Sequence, residues 1–155
     1  MSVRSRIHRT PWSRRLVKVV VAAVLASSVV ACSGRRYDPA RAASPYPTHL
    51  DQGEVVDVQV FREGGDLIIV NATPQSFRDA DIWVNRRYLW HLESLEPGET
   101  RRVWFGEFFD QWGETPVAGG FFRTERPTPV VLLQIQIGSE EPLLGTISVP
   151  AEQNF

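Results

Sequence analysis

Three histidines (His8, His49 and His91) and one cysteine (Cys32) are the only such residues in the 155-residue chain. His91, in the run YLWHL, sits in a strand-like segment, so it is the first residue to test for acid–base work. A catalytic triad would need a hydroxyl nucleophile and a carboxylate beside it, and Ser94 or Ser76 can be nominated only by exhaustion. Glu107, Asp110 and Glu114 put three carboxylates within eight positions. Such a cluster could supply oxygen ligands to Ca²⁺ or an acid–base pair for glycan hydrolysis. Acids are ordinary on the loops of an acidic domain, and glycosidic chemistry usually sits on a larger scaffold with a groove, so the cluster reads first as solvated surface. Phe108, Phe109 and Trp112 are interleaved with these acids. Exposed aromatic faces bind sugar rings or partner chains, and buried ones fill cores. GxSxG, HExxH, phosphate-loop and CxxC patterns are all missing from the sequence. A zinc site takes three or four His, Cys or carboxylate ligands, more than this composition readily assembles. No catalytic residue, metal or cofactor is therefore expected.

The elements that must position these residues read as strands. Glu54 to Phe61 alternates, with Val56, Val58 and Val60 on one face, and Asp66 to Ala72 follows after Glu63-Gly64-Gly65-Asp66, a hairpin turn. Asp81 to Asn85 and Tyr88 to Leu92 flank a second turn at Asn85-Arg86-Arg87. A three-residue loop there puts Ile82, Val84, Tyr88, Trp90 and Leu92 on one face and Trp83, Leu89 and His91 on the other, while a one-residue slip redistributes them. Glu96-Pro97-Gly98-Glu99 suits a type II turn, and Thr100 to Phe105 is a strand after it. Gly106 to Gly120 is the longest irregular piece, with room for one helical turn near Glu107, and Phe121 to Arg123 is a short edge-strand candidate. Val130 to Ile137 and Leu143 to Val149 carry the strongest strand signal. Trp83, Trp90 and Trp104, on strands, are expected in the core. The expected fold is all-β: a single antiparallel sandwich of seven to eight strands. The stretch ending in Leu95-Glu96-Pro97-Gly98-Glu99-Thr100 is similar to the small Ig-like or fibronectin-III-like modules of bacterial envelope proteins, which implies an Ig-like topology but no binding residues.

The amino-terminal third is different in kind. Arg4, Arg6, Arg9, Arg14, Arg15 and Lys18 are six basic residues in the first 31 positions, which hold no acid; the remainder carries eleven basic and eighteen acidic residues. An acidic domain would be repelled by phosphate backbones, so no nucleic-acid partner is expected. Leu16 to Ala31 is an apolar core ending in small residues, shorter than the roughly 20 apolar residues of a bilayer span, which is the pattern of a secretory signal peptide. Val29-Val30-Ala31-Cys32 resembles the lipobox of bacterial lipoproteins, with Val29 where that family most often has Leu. The resemblance implies cleavage between Ala31 and Cys32 and acylation of Cys32, with two or three chains giving a stable membrane anchor. Ser33 rather than Asp after the cysteine leans toward the outer membrane in a two-membrane bacterium. Ser13-Arg14-Arg15 also resembles the start of a twin-arginine signal, although Val17-Lys18 departs from it.

The expected organisation is thus a lipoprotein signal peptide over 1–31, a lipidated cysteine and flexible tether over 32–50, and a β-sandwich over 51–155. The prolines Pro39, Pro45 and Pro47 favour extended geometry, and a free tether of this length would reach roughly 55 Å. Asn71-Ala72-Thr73 matches a glycosylation acceptor pattern that reads as chance in a bacterial chain. The functional expectation is a noncatalytic, lipid-anchored envelope module. It would bind a protein or glycan partner through the loop carrying Glu107, Phe108, Phe109, Asp110, Trp112 and Glu114. The alternative is a small envelope hydrolase using His91 and the loop carboxylates.

Overall fold

The computed structural model describes residues 36–119 and 126–149, all within the compact unit Ser33–Phe155. Seven strands make one sheet: β1 (Gln52–Glu63), β2 (Asp66–Asn71), β3 (Phe77–Val84), β4 (Tyr88–Leu95), β5 (Thr100–Trp104), β6 (Leu133–Gln136) and β7 (Leu143–Val149). Among the described residues the only helical pieces are short 3-10 turns at Pro39–Arg41 and Phe105–Glu107. None is long and apolar enough to cross a membrane. The strand order is β4-β3-β6-β7-β1-β2-β5. Every pairing is antiparallel except β1 with β7, which run parallel with two register shifts along β1. The expectation of a wholly antiparallel sheet fails there. β1 has partners on both sides, and its neighbour β7 arrives from the far end of the domain sequence rather than through a hairpin.

The sheet rolls until its two end strands approach. Arg101 on β5 donates from Nη2 to the carbonyl of Ser94 on β4 at 3.0 Å, and Asn71 on β2 donates from Nδ2 to the carbonyl of Leu95 at 3.2 Å. The result is nearly a barrel. Val56, Val58 and Val60 of β1, Leu67 and Ile69 of β2, and Ile82 and Val84 of β3 fill it, as their alternation dictates. Burying such side chains supplies the main drive for the fold, at about 25 cal/mol per Å² of apolar surface.

Both hairpins form where the turn residues allow. Gly64 takes a φ of 59° between Glu63 and its partner Asp66. The second turn is a three-residue loop, with Val84 opposite Tyr88. Ile82, Val84, Tyr88 and Leu92 accordingly point into the core and Trp83 and His91 out of it, as a three-residue loop requires. Gly98 has a φ of 75° and the Glu99 amide bonds back to the Glu96 carbonyl at 3.0 Å, the geometry of a type II turn. The candidate edge strand Phe121 to Arg123 lies outside the described residues.

Residues 36–50 are not a free tether. The amide of Asp38 bonds to the Gly113 carbonyl at 2.8 Å, that of Ala43 to Asp110 at 2.9 Å, and Arg36 exchanges bonds with Thr115. Tyr46 meets Trp83 edge to face with ring centroids 5.4 Å apart, and donates from its hydroxyl to Oε1 of Gln134 at 2.9 Å. Leu50 is buried beside Trp83 and Leu143. The outward face of β3, β6 and β7 carries these apolar groups, and this segment is what covers them. Residues 36–50, the described part of the expected tether, are thus packed against the β domain.

Candidate functional site

The loop after β5 divides sharply between buried and exposed residues. Phe108 and Asp110 are fully buried and Phe109 is nearly so, whereas Trp112 is 58% exposed. Phe105 and Phe108 stack edge to face at 5.5 Å, and Phe108 lies 5.9 Å from Trp90. Phe109 exchanges both backbone hydrogen bonds with Leu89, so it continues the sheet along the outer edge of β4. This covers an edge that would otherwise present unpaired amides. Phe108 and Phe109 thus belong to the wall and core rather than to a contact surface, which corrects their place in the expected binding loop.

The acids of this loop are also committed. Asp110 accepts from Nε and Nη2 of Arg87 at 2.9 and 2.6 Å on one oxygen. Its other oxygen accepts from the amides of Trp112 and Glu114 at 3.0 and 2.8 Å. Burial pushes this carboxyl up, but the Glu114 amide, the Arg87 guanidinium and the Trp112 amide together outweigh it and hold the group below its ordinary value. Glu114 shares Arg87 at 2.8 Å, and Glu107 pairs with Arg41 at 3.1 Å on the surface. The three carboxylates are therefore committed to these cation contacts. Among the described residues no group of three or more His, Cys, Asp or Glu comes together as a metal-ligand set.

His91 lies on the exposed face of β4, opposite Asp81. Its Nδ1 is 3.0 Å from Asp81 and its Nε2 is 3.2 Å from Asp79. The Asp81 hydrogen bond raises the imidazole above its usual range against a small lowering by burial, with the charges of Asp81, Asp79 and Glu93 adding to the rise. Ser76, one of the hydroxyls nominated for a triad, donates instead to Glu96. His91 thus has carboxylate neighbours but faces solvent, and both ring nitrogens are engaged by carboxylates.

The aromatic residues sort by face. Trp83 is buried and Trp90 packs against the core as expected. Trp104 is 38% exposed because its neighbour Val103 takes the inward position on β5, and the Arg36 guanidinium lies 4.7 Å from its ring. Asn71 is fully buried, with its side chain bonded to Gln75, Leu95 and Thr73, so it is a structural tie and not a modification site.

A cleft of about 550 Å³ opens where Trp112 meets the second hairpin and the segment before β1; Pro45, Tyr46, Arg86, Arg87, Asp110 and Trp112 line it. Arg87 lies 5.7 Å from the Trp112 ring and Arg86 5.9 Å from that of Tyr46. The loop on one side is rigid: Gly113 has a φ of 82°, and a β-carbon there would overlap the carbonyl of Asp38. On the other side Arg86 has a φ of 55°, an uncommon setting for a residue other than glycine. It is held by Asn85, whose side chain donates to the Pro129 carbonyl at 2.7 Å and accepts from the amides of Val131 and Leu132. Of these residues only Asp110 and Trp112 belong to the expected binding loop. Arg86 and Arg87 stand in the sequence as turn residues and Tyr46 as linker, and nothing local distinguishes a turn that frames a cleft from one that does not.

No family model, curated protein or solved structure matches this chain.

Proposed function

We propose that this protein is a lipid-anchored lipoprotein of the bacterial cell envelope whose β domain is a noncatalytic binding module. The observation that carries the binding role is Trp112, 58% exposed at the rim of a cleft while Phe108, Phe109 and Asp110 around it are buried. A large indole held out of the core by a rigid loop costs solvation unless something covers it, and such residues are favoured contact anchors. The anchor reading rests on Val29-Val30-Ala31-Cys32 and places acyl chains on Cys32 after cleavage at Ala31, with Ser33 favouring the outer membrane. Residues 36–50 belong to the binding domain in this reading, since Tyr46 forms part of the cleft wall.

The fold of the module is read as Ig-like. The strand order supports this: β5-β2-β1 and β4-β3-β6-β7 form two groups that meet through β1 beside β7.

Intact mass spectrometry of the membrane fraction from a bacterial expression host tests the anchor, with Cys32→Ser in parallel. A chain that begins at Cys32 with added acyl mass, and that the variant releases, is the expected result. A full-length unmodified chain would overturn it. Photo-crosslinking from position 112 in the native envelope tests the module, and a capture that disappears on competition with wild-type protein supports it. No crosslink above background would end the binding role.

A further inference from the structure

The cleft beside Trp112 has a chemistry more specific than binding in general, and a ligand class can be assigned to it provided that the domain is a binding module. Two rings, two guanidinium groups and few aliphatic side chains define it. Arg87 is already neutralised, because Asp110 and Glu114 both accept from it. Arg86 is not: its side chain approaches the Tyr46 ring at 5.9 Å, and it has no ion pair or hydrogen bond among the described residues. Among the described residues nothing engages the five donors of this guanidinium fork, which lines the cleft. The exposed indole of Trp112 offers a flat apolar face in the same cleft, and Thr48 and Gln111 add a hydroxyl and an amide to its lining.

The geometry points to a site for a carboxylate-bearing saccharide, with Arg86 gripping the carboxylate and Trp112 stacking on the apolar face of the sugar ring. Three features favour a sugar over a peptide. The volume, about 550 Å³, suits a ligand of one or two rings. At Leu89 on β4 the strand edge is already taken by the pairing with Phe109, so an extended chain cannot join the ladder at that point. The polar groups are side-chain hydroxyl, amide and guanidinium, which match scattered hydroxyls and one carboxylate. A carboxylate accepts two parallel hydrogen bonds from a guanidinium, a match that an uncharged sugar cannot make. The backbones that carry Arg86 and Trp112 are held by the fold before any ligand arrives. The Asn85 side chain fixes the turn that carries Arg86, and the Asp110 carboxylate fixes the backbone of Trp112. Less ordering then remains to be done on binding.

Titration calorimetry on the full-length chain in detergent, with digalacturonate as the acidic probe, galactobiose as its uncharged counterpart and acetate as charge alone, tests this. Digalacturonate should bind, with galactobiose at least tenfold weaker and acetate weaker still. Arg86→Gln should cost digalacturonate about tenfold, the scale of one lost charge-assisted hydrogen-bond pair, and leave galactobiose unchanged. Trp112→Ala should weaken both sugars. Both positions are exposed, and an unchanged melting temperature in each variant shows that the fold is intact. Equal binding of the two sugars, or Arg86→Gln binding digalacturonate like the wild type, would overturn the assignment. No binding of any probe would overturn it as well. If position 112 still crosslinks an envelope protein in that case, the module survives as a protein binder; if it does not, both readings fall together.

Discussion

Arg87 and Asp110 sit 23 residues apart, yet they join the second hairpin to the loop after β5 through two hydrogen bonds onto a single carboxylate oxygen. Asp110 is fully buried and the Arg87 side chain is 37% exposed, so the pair is a buried anion reached by a guanidinium from the rim. The carboxylate also orders the 110–114 turn through the amides of Trp112 and Glu114. One ion pair thus holds both walls of the cleft.

Removing one partner of such a pair leaves an uncompensated charge. Arg87→Ala should lower stability by about 2 kcal/mol, below the usual 3–5 kcal/mol for a wholly buried pair because water can partly replace the half-exposed guanidinium. Urea unfolding of the variant beside Arg102→Ala checks this, since the Arg102 pairs are exposed and screened by solvent and their loss should be the smaller of the two. The pH dependence has a fixed sign. Asp110 is held below its ordinary value of 3.8, so its contribution is complete above that value and declines as pH falls through the lower folded value. Asp110→Asn should flatten the acid limb of the stability curve.

Gly113 and Gly98 both take a left-handed φ, 82° and 75°, but only the first is crowded. A methyl at Gly98 meets open space, and Gly98→Ala should cost about 1 kcal/mol from the backbone alone. At Gly113 the methyl would collide with the backbone of Asp38 and Pro39. Gly113→Ala should therefore cost at least about twice as much and release the segment that begins at Arg36. Thermal unfolding together with hydrogen exchange at Asp38, whose amide bonds to Gly113, checks both parts.

The segment before β1 should behave as part of the domain. Tyr46→Phe removes the hydroxyl donated to Gln134 and should cost about 1 kcal/mol. Tyr46→Ala also uncovers Trp83 and should cost about 3 kcal/mol, the usual scale for truncating a large aromatic residue. Limited proteolysis gives an independent readout: cleavage between 36 and 50 should be slow in the wild type and fast in Tyr46→Ala.

His91 should titrate above the usual 6.5, and Asp81→Asn should bring its midpoint down, as read by the imidazole proton shifts in NMR. A raised folded value means that the pairing with Asp81 and Asp79 stabilises the protein fully below 6.5 and is lost as pH rises through the folded value. An unchanged midpoint in Asp81→Asn would mean that the Asp81 contact does not persist in solution.

Much of the fold is legible in the chain. The alternation of Val56, Val58 and Val60 dictates which face of β1 is buried, and Gly64 and Gly98 mark turns that need a positive φ. At Asn85-Arg86-Arg87 the chain leaves a three-residue loop and a one-residue slip both open, and the structure takes the first, which puts Trp83 and His91 on the outward face. These are local matters: a period of two and a steric rule decide them. The long loop misleads for the opposite reason. Phe108, Phe109 and Asp110 have the composition of a contact patch, and only the closing of the sheet against β4 makes them interior. Residues 36–50 have the composition of a linker, rich in Pro, Ala and Ser, and become structure because Trp83, Leu143 and Gln134 on the outward face offer them a surface.

The sequence by itself determined most of the strands, the buried face of β1 and the turns at Gly64 and Gly98, because each depends on residues adjacent in the chain. Tertiary structure alone decided that β1 and β7 run side by side in parallel, and that Tyr46, Arg86 and Trp112 meet at one cleft. Those juxtapositions join positions up to 66 residues apart for the cleft, and 88 to 91 apart for the two strands. No local propensity encodes them. They follow from the one packing in which the sheet can roll up, bury its inward face and still find cover for the apolar residues left on the outside.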